Sequence, residues 1–207
     1  TPPETRKQML SYPDMDQWLD AEQVELEALR KKNTFGEVLP ESKMPKGTKA
    51  IGTRYVYTYR MKDGVESHKA RLVCQGNQSK FGVDFSASHA ETLNMTTLRM
   101  FLSYTAGQGG YHFRVTDIRT AFVTAPITRE VYVRPPPGER DVDENGERLV
   151  IKVNKALYGM VDACRTFCRY LRQVLTKLGW KSCEVDPCLF KIQEGKEIAY
   201  SGWYIDD

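Results

Sequence analysis

The sequence predicts an α+β fold in which an antiparallel sheet is backed by helices and joined to a basic, β-rich subdomain. Three observations carry this reading. Apolar residues recur at helical spacing over 14–32, 92–106 and 161–178. Two strand-like segments, 51–61 and 67–75, flank Asp63-Gly64, a dipeptide suited to a tight hairpin. A second hairpin, 188–192 with 197–205 across Glu194-Gly195-Lys196, closes the chain.

In chain order, residues 14–32 form a helix with Asp14 or Asp16 as its cap and Trp18, Leu19, Leu26 and Leu29 as its apolar stripe. Asn33-Thr34 ends it, and a segment punctuated by Pro40, Pro45 and Gly47 follows. After the basic hairpin, 76–89 is polar and reads as loop. Met95, Leu98 and Leu102 mark the next helix, with Gly107, Gly109 and Gly110 as its stop. Residues 111–118 alternate as a strand, with Tyr111, Phe113, Val115 and Asp117 on one face. Short strands are predicted at 131–133 and 149–153, separated by an exposed acidic loop at 139–147. Residues 161–178 are predicted as the longest helix, with Cys164, Phe167, Leu171, Val174 and Leu178 along one side. The run 197–205 is nearly all apolar, as a strand buried on both faces would be. There is no internal repeat.

The 207 residues are enough to bury a substantial core, and 41% hydrophobic with 28% charged content describes an ordinary globular protein. No apolar run approaches the roughly 20 residues needed to span a bilayer, so no membrane partner is expected. Five cysteines without a CxxC pair suit a reducing, intracellular compartment. The net charge is only +3, yet residues 43–80 hold nine basic side chains against Asp63 and Glu66. Such a patch fits a polyanionic partner, and a solvated lysine-rich hairpin gives the same charge.

Asp117, Asp206 and Asp207 stand at predicted strand ends. Carboxylates gathered this closely raise one another's pKa unless a cation intervenes. Two divalent ions about 4 Å apart would remove that penalty and suit phosphoryl transfer, and hard oxygen ligands favour Mg²⁺. By residue type alone each Asp equally suits a turn or a cap. Cys164, Cys168, Cys183 and Cys188 could form a zinc site, but their spacing fits no common zinc knuckle, and buried free thiols are favoured. His68, His89 and His112 are too scattered for a histidine-based catalyst.

Ordered blocks decide between these readings. They are Asn33-Thr34-Phe35 with Val38-Leu39-Pro40, His68-Lys69-Ala70-Arg71-Leu72-Val73, and Val115-Thr116-Asp117-Ile118-Arg119-Thr120-Ala121-Phe122. Then come Val131-Tyr132-Val133 before Pro136-Pro137-Gly138, Lys155-Ala156-Leu157-Tyr158-Gly159-Met160, and Tyr204-Ile205-Asp206-Asp207. In this order, over nearly the whole chain, they resemble the reverse transcriptases of copia-type LTR retrotransposons. Two blocks depart from that pattern. Val161-Asp162 and Phe167 replace the family's Lys-Gln and Trp, and 86–91 lacks a Phe-x-Pro-Val block.

The resemblance implies a right-hand polymerase with fingers and palm, the palm sheet antiparallel and backed by helices, and the thumb absent from this chain. It divides the chain into an N-terminal helical extension (1–44), basic fingers hairpin (45–90), first palm part (91–124), second fingers part (125–160) and second palm part (161–207). It implies RNA-directed DNA polymerisation, by attack of a primer 3′-hydroxyl on a deoxynucleoside triphosphate (dNTP). Asp117, Asp206 and Asp207 would be catalytic, and with the carbonyl of Ile118 they would hold two Mg²⁺ ions, Mn²⁺ serving as a substitute. Lys69, Arg71, Arg119, Thr120, Ala121, Phe122, Tyr158 and Gly159 would bind the dNTP, and Tyr204 and Ile205 would abut the primer. Implied partners are an RNA or DNA template-primer, dNTPs and the rest of a Pol polyprotein (thumb, RNase H, integrase). The implied location is cytoplasmic, in a virus-like particle, or nuclear. Ending at the second Asp of its YxDD box, the chain alone is expected to polymerise poorly. The alternative function is an inactive, truncated nucleic-acid-binding remnant of such an element.

Overall fold

The structure is a computed structural model describing residues 1–62, 64–76, 91–118 and 120–204. The predicted loop at 76–89 lies almost wholly outside these residues. A short helix α1 (Arg6–Met9) precedes α2 (Met15–Lys31), whose Trp18, Leu26 and Leu29 are buried as the helical period requires. At 17 residues α2 is longer than the 15-residue helix found where the longest was predicted. Asp14 occupies the N-cap position, but its side chain makes no cap bond. Its Oδ2 instead lies 2.5 Å from His68 Nε2, and that bond is the main reason its pKa falls below the ordinary value.

The helix ends where Asn33-Thr34 predicts. Asn33 adopts φ 54°, its N–H donates to the Arg30 carbonyl at 2.9 Å, and the Thr34 N–H donates to Leu29 at 3.1 Å. This is the paired 5→2 and 6→1 closure of a Schellman motif. The chain then enters β1 (Phe35–Pro40), a strand not predicted from sequence. Gly36 and Pro40 weaken its strand signal, but it lies at the edge of a three-stranded sheet, where proline is tolerated. Its partner β5 (Leu149–Val153) sits as predicted, pairing Val38 with Ile151, and β4 (Tyr132–Val133) pairs antiparallel on the other side.

The basic hairpin is β2 (Thr53–Lys62) and β3 (Val65–Cys74). Its register pairs Tyr55 with Leu72 and Tyr57 with Ala70, and these four are buried. Trp18 of α2 packs edge-on against Tyr57 with centroids 5.3 Å apart. The opposite face carries Arg54, Arg60, Lys69 and Arg71 by the two-residue period. Two acids of α2 are buried against this hairpin. Glu22 accepts from Tyr57 Oη at 2.5 Å and from Arg6 Nε at 3.1 Å, and Glu25 accepts from the Leu72 N–H at 3.3 Å and Lys69 Nζ at 3.4 Å. Burial first, then the bond to Glu22, pushes the Tyr57 hydroxyl well above the phenol range.

Helix α3 (Met95–Gln108) matches the predicted helix, and Gly109 at φ 68° follows it. Helix α4 (Ala163–Lys177) buries Ala163, Phe167 and Cys168, while Leu178, predicted on its apolar side, falls past its end and is exposed. A second sheet, ordered β6-β7-β8, comprises β6 (Lys181–Ser182), β7 (Leu189–Glu194) and β8 (Glu197–Gly202). Asp186, 4% exposed, links it to α3. Its Oδ2 accepts from the Asn94 N–H and its Oδ1 from the Cys188 N–H, each at 3.0 Å.

Two expectations are corrected. Residues 111–118 belong to no sheet among the described residues, and Val115 is 99% exposed. Alternation gives a segment two unlike faces, but only a partner's hydrogen-bond ladder makes it a strand. Strand β8 is also not buried on both faces: its residues are exposed or half-buried. It is a sheet edge, and Tyr200 meets Phe101 of α3 at 5.4 Å and Tyr111 at 6.2 Å between ring centroids.

Asp186 sets a pH dependence. Burial works to raise its pKa, but bonds from Asn94, Cys188 and Thr97 outweigh this and lower it. A carboxyl with a depressed folded-state pKa stabilises fully above its unfolded value, near 3.9, and loses that contribution as pH falls through the folded value. Asp186→Asn should therefore lower the urea midpoint at pH 7, and the difference from wild type should shrink below about pH 4.

Candidate active site

Three sequence-distant segments meet beside the end of β3. The Cys74 N–H donates to the Tyr158 carbonyl at 2.7 Å, and Val73 and Tyr158 form a parallel bridge. The approach demands glycine at two positions. A Cβ on Gly159, which has φ 79°, would stand 2.2 Å from the Cys74 carbonyl oxygen, and one on Gly76 would stand 2.1 Å from the Gly159 carbonyl oxygen.

This clasp aligns side chains. The Arg71 guanidinium lies 5.9 Å from the Tyr158 ring centroid, within cation–π range. Tyr158 meets Phe122 edge-on at 5.4 Å, and Phe122 meets Phe167 at 6.1 Å. Phe122 opens a 3-10 turn, Phe122–Thr124, in which Ala125 N–H donates back to the Phe122 carbonyl at 3.1 Å. Burial first, then the negative charges of Glu25 and Asp117, raises the Tyr158 hydroxyl pKa, while Arg71 and Arg60 oppose the rise. Asp117 thus lies within Coulombic reach of Tyr158. Its own residue is exposed, as is Ile118, at the end of the irregular 111–118 segment.

Thr120 adopts φ 53°, uncommon for a β-branched residue, where such strain costs roughly 1–3 kcal/mol. Its Oγ1 accepts from Lys32 Nζ at the C-cap of α2. Ala121 returns to φ −48°, and its carbonyl accepts from Thr124 Oγ1 at 2.5 Å. Lys69 shares the face of Arg71 but turns to Glu25. Tyr204 is 61% exposed. The predicted site residues Arg119, Ile205, Asp206 and Asp207 lie outside the described residues.

The structure thus gathers Arg71, Tyr158, Gly159, Phe122 and the Thr120-Ala121 turn, with Lys69 beside them and Asp117 within electrostatic reach. Sequence reasoning missed Glu25 and Lys32. Glu25 sits in the helical period beside the buried Leu26, a weak cue, and no local cue marks Lys32. In the 161–167 departure the replacing residues have local partners, whereas 86–90 of the other departure lie outside the described residues. Asp162 accepts two bonds from Arg129 at 3.0 Å each, and Phe167 backs Phe122. The described residues hold no cluster of three or more potential metal ligands among His, Cys, Asp and Glu. The cysteines are free, and burial pushes the thiols of Cys168 and Cys188 up to about 11 and that of Cys74 up to about 12.

Residues 37–207 match the family described as reverse transcriptase (RNA-dependent DNA polymerase). The chain belongs to that family. It is 30% identical over 93% of its length to the retrovirus-related Pol polyprotein from transposon RE1 of Arabidopsis thaliana, covering 13% of that relative. It is likewise 30% identical over 99% of its length to the corresponding polyprotein from transposon TNT 1-94 of Nicotiana tabacum, covering 15% of it. Against the Transposon Ty1-DR5 Gag-Pol polyprotein of Saccharomyces cerevisiae the identity is 26% over 86% of the chain and 10% of the relative. The chain therefore spans a small part of the curated relatives it matches, and the copia-type resemblance of its motifs holds. No helix among the described residues is long and apolar enough to cross a membrane.

Gly159→Ala tests the clasp. With φ 79° and a 2.2 Å approach to backbone, the added methyl cannot be accommodated in place. The variant should lose on the order of 2–4 kcal/mol in chemical denaturation.

Proposed function

We propose that this chain is the fingers and palm region of an RNA-directed DNA polymerase. In this reading the hairpin and 125–160 form the fingers, 91–124 and 161–207 form the palm, and 1–44 is an N-terminal extension. The single observation that carries the proposal is the Arg71–Tyr158–Phe122 stack. It places a guanidinium, a half-buried phenol and an aromatic ring from three family motifs on one wall. That combination suits a deoxynucleoside triphosphate, with its anionic chain, flat base and sugar.

Arg71, held over Tyr158, would offer paired N–H donors to triphosphate oxygens, where charge-assisted bonds are strongest. The amides of Thr120 and Ala121 lie in the turn leading to Phe122 and would receive the same phosphate chain. Phe122, backed by Phe167, would fill the space beside the sugar that a 2′-hydroxyl needs. Lys69 would add charge from the neighbouring strand position.

A hard divalent cation fits the donor available: Asp117 is an exposed carboxylate within electrostatic reach of Tyr158. Asp117, the Ile118 carbonyl, Asp206 and Asp207 would hold Mg²⁺, which when bound supplies Lewis-acid stabilisation of attacking and leaving oxygens. Template-primer would bind over the basic hairpin face, largely through counterion release, and so weaken steeply with salt.

Two substitutions test the proposal in the full-length polyprotein. Asp117→Asn should reduce Mg²⁺-dependent primer extension on an RNA template by about 10³-fold or more, corresponding to several kcal/mol of transition-state stabilisation. Equal extension by both proteins would remove the carboxylate mechanism. Phe122→Val should leave dNTP incorporation largely intact and raise ribonucleotide use on the order of 10–100-fold, measured as the ratio of kcat/KM values.

A further inference from the structure

Helix α2 precedes all three segments of the nucleotide site, yet it touches two of them. Glu25 has a side chain 5% exposed and accepts from Lys69 Nζ at 3.4 Å and the Leu72 N–H at 3.3 Å. A carboxylate buried this far needs such partners, and here they belong to the strand that carries Arg71. Seven residues on, two helical turns along the same side, Lys32 donates to Thr120 Oγ1. The closure at Asn33 and Thr34 fixes Lys32 at the C-cap. Lys69 and Thr120 are 51 residues apart and belong to separate segments of the site.

We propose that α2 is a strut that sets the relative position of β3 and the Thr120 turn around the triphosphate, with Glu25 and Lys32 as positioning residues acting through Lys69 and Thr120. The inference rests on the polymerase reading above. The grips differ in kind. Glu25 restrains a long, entropically costly lysine beside Arg71, so less order remains to be imposed when nucleotide binds. Lys32 holds the hydroxyl of a residue in a left-handed conformation, which the turn needs to keep its shape. Neither side chain has to touch substrate.

The test is steady-state primer extension by the full-length polyprotein carrying this chain, with an RNA template and Mg²⁺. Glu25→Gln and Lys32→Met should each raise the KM for dNTP about fivefold to tenfold, with kcat and the KM for template-primer changed less than about twofold. Lys32→Arg, which keeps a donor, should recover most of the loss. Because Glu25 acts through Lys69, Glu25→Gln should have little further effect in a Lys69→Met background, whereas a purely structural role would leave its effect unchanged there. An unchanged KM for dNTP, a lowered one, or an equal fall in kcat would overturn the strut while leaving the polymerase reading in place. Absence of extension by the unsubstituted protein would overturn both.

Discussion

The hydrogen bond from the Cys74 amide to the Tyr158 carbonyl, 2.7 Å long, is the constraint on which the site depends. It joins the end of the basic hairpin to a loop 84 residues later in the chain. It forms because Gly76 and Gly159 remove the side chains that would hold the two backbones apart. Once made, it dictates which side chains meet. Arg71, three residues before Cys74 in β3, falls over the Tyr158 ring, and Phe122 meets that ring edge-on. A short backbone contact thus converts three separate motifs into one wall.

Burial of charge completes the arrangement. Glu22 and Glu25 are each 4% exposed, and each finds donors on the hairpin, so α2 cannot shift without stranding a carboxylate. Trp18, Tyr57 and Tyr59 fill the space between these polar ties with aromatic contacts. The hairpin is therefore anchored on its inner face, and its outer face remains free to carry Arg54, Arg60 and Arg71. This division of one hairpin into a packed face and a cationic face follows from the two-residue period of strands.

Most of the regular structure was legible in the sequence, because it depends on local pattern. The 3.6-residue period marked α2, α3 and α4, and Asp63-Gly64 marked the hairpin between β2 and β3. What failed depended on partners. Residues 111–118 alternate as a strand should but find no ladder among the described residues. The run at 197–205 is apolar enough for a core, yet β8 lies at a sheet edge. Strand β1 was invisible because Gly36 and Pro40 dilute its signal, and β5 supplies what its composition lacks.

The same division holds for the site. The sequence by itself determined the family, through the order and spacing of motifs from Asn33-Thr34-Phe35 to Tyr204-Ile205-Asp206-Asp207, and with it the list of residues to inspect. Only the tertiary structure decided that Arg71 stacks on Tyr158, that Lys69 is engaged by a buried glutamate, and that Lys32 reaches Thr120. Motif order survives in one dimension because each block answers to its own local chemistry. Contacts between residues 44 to 88 positions apart are set by how helices and strands pack, and nothing in the neighbouring letters records them.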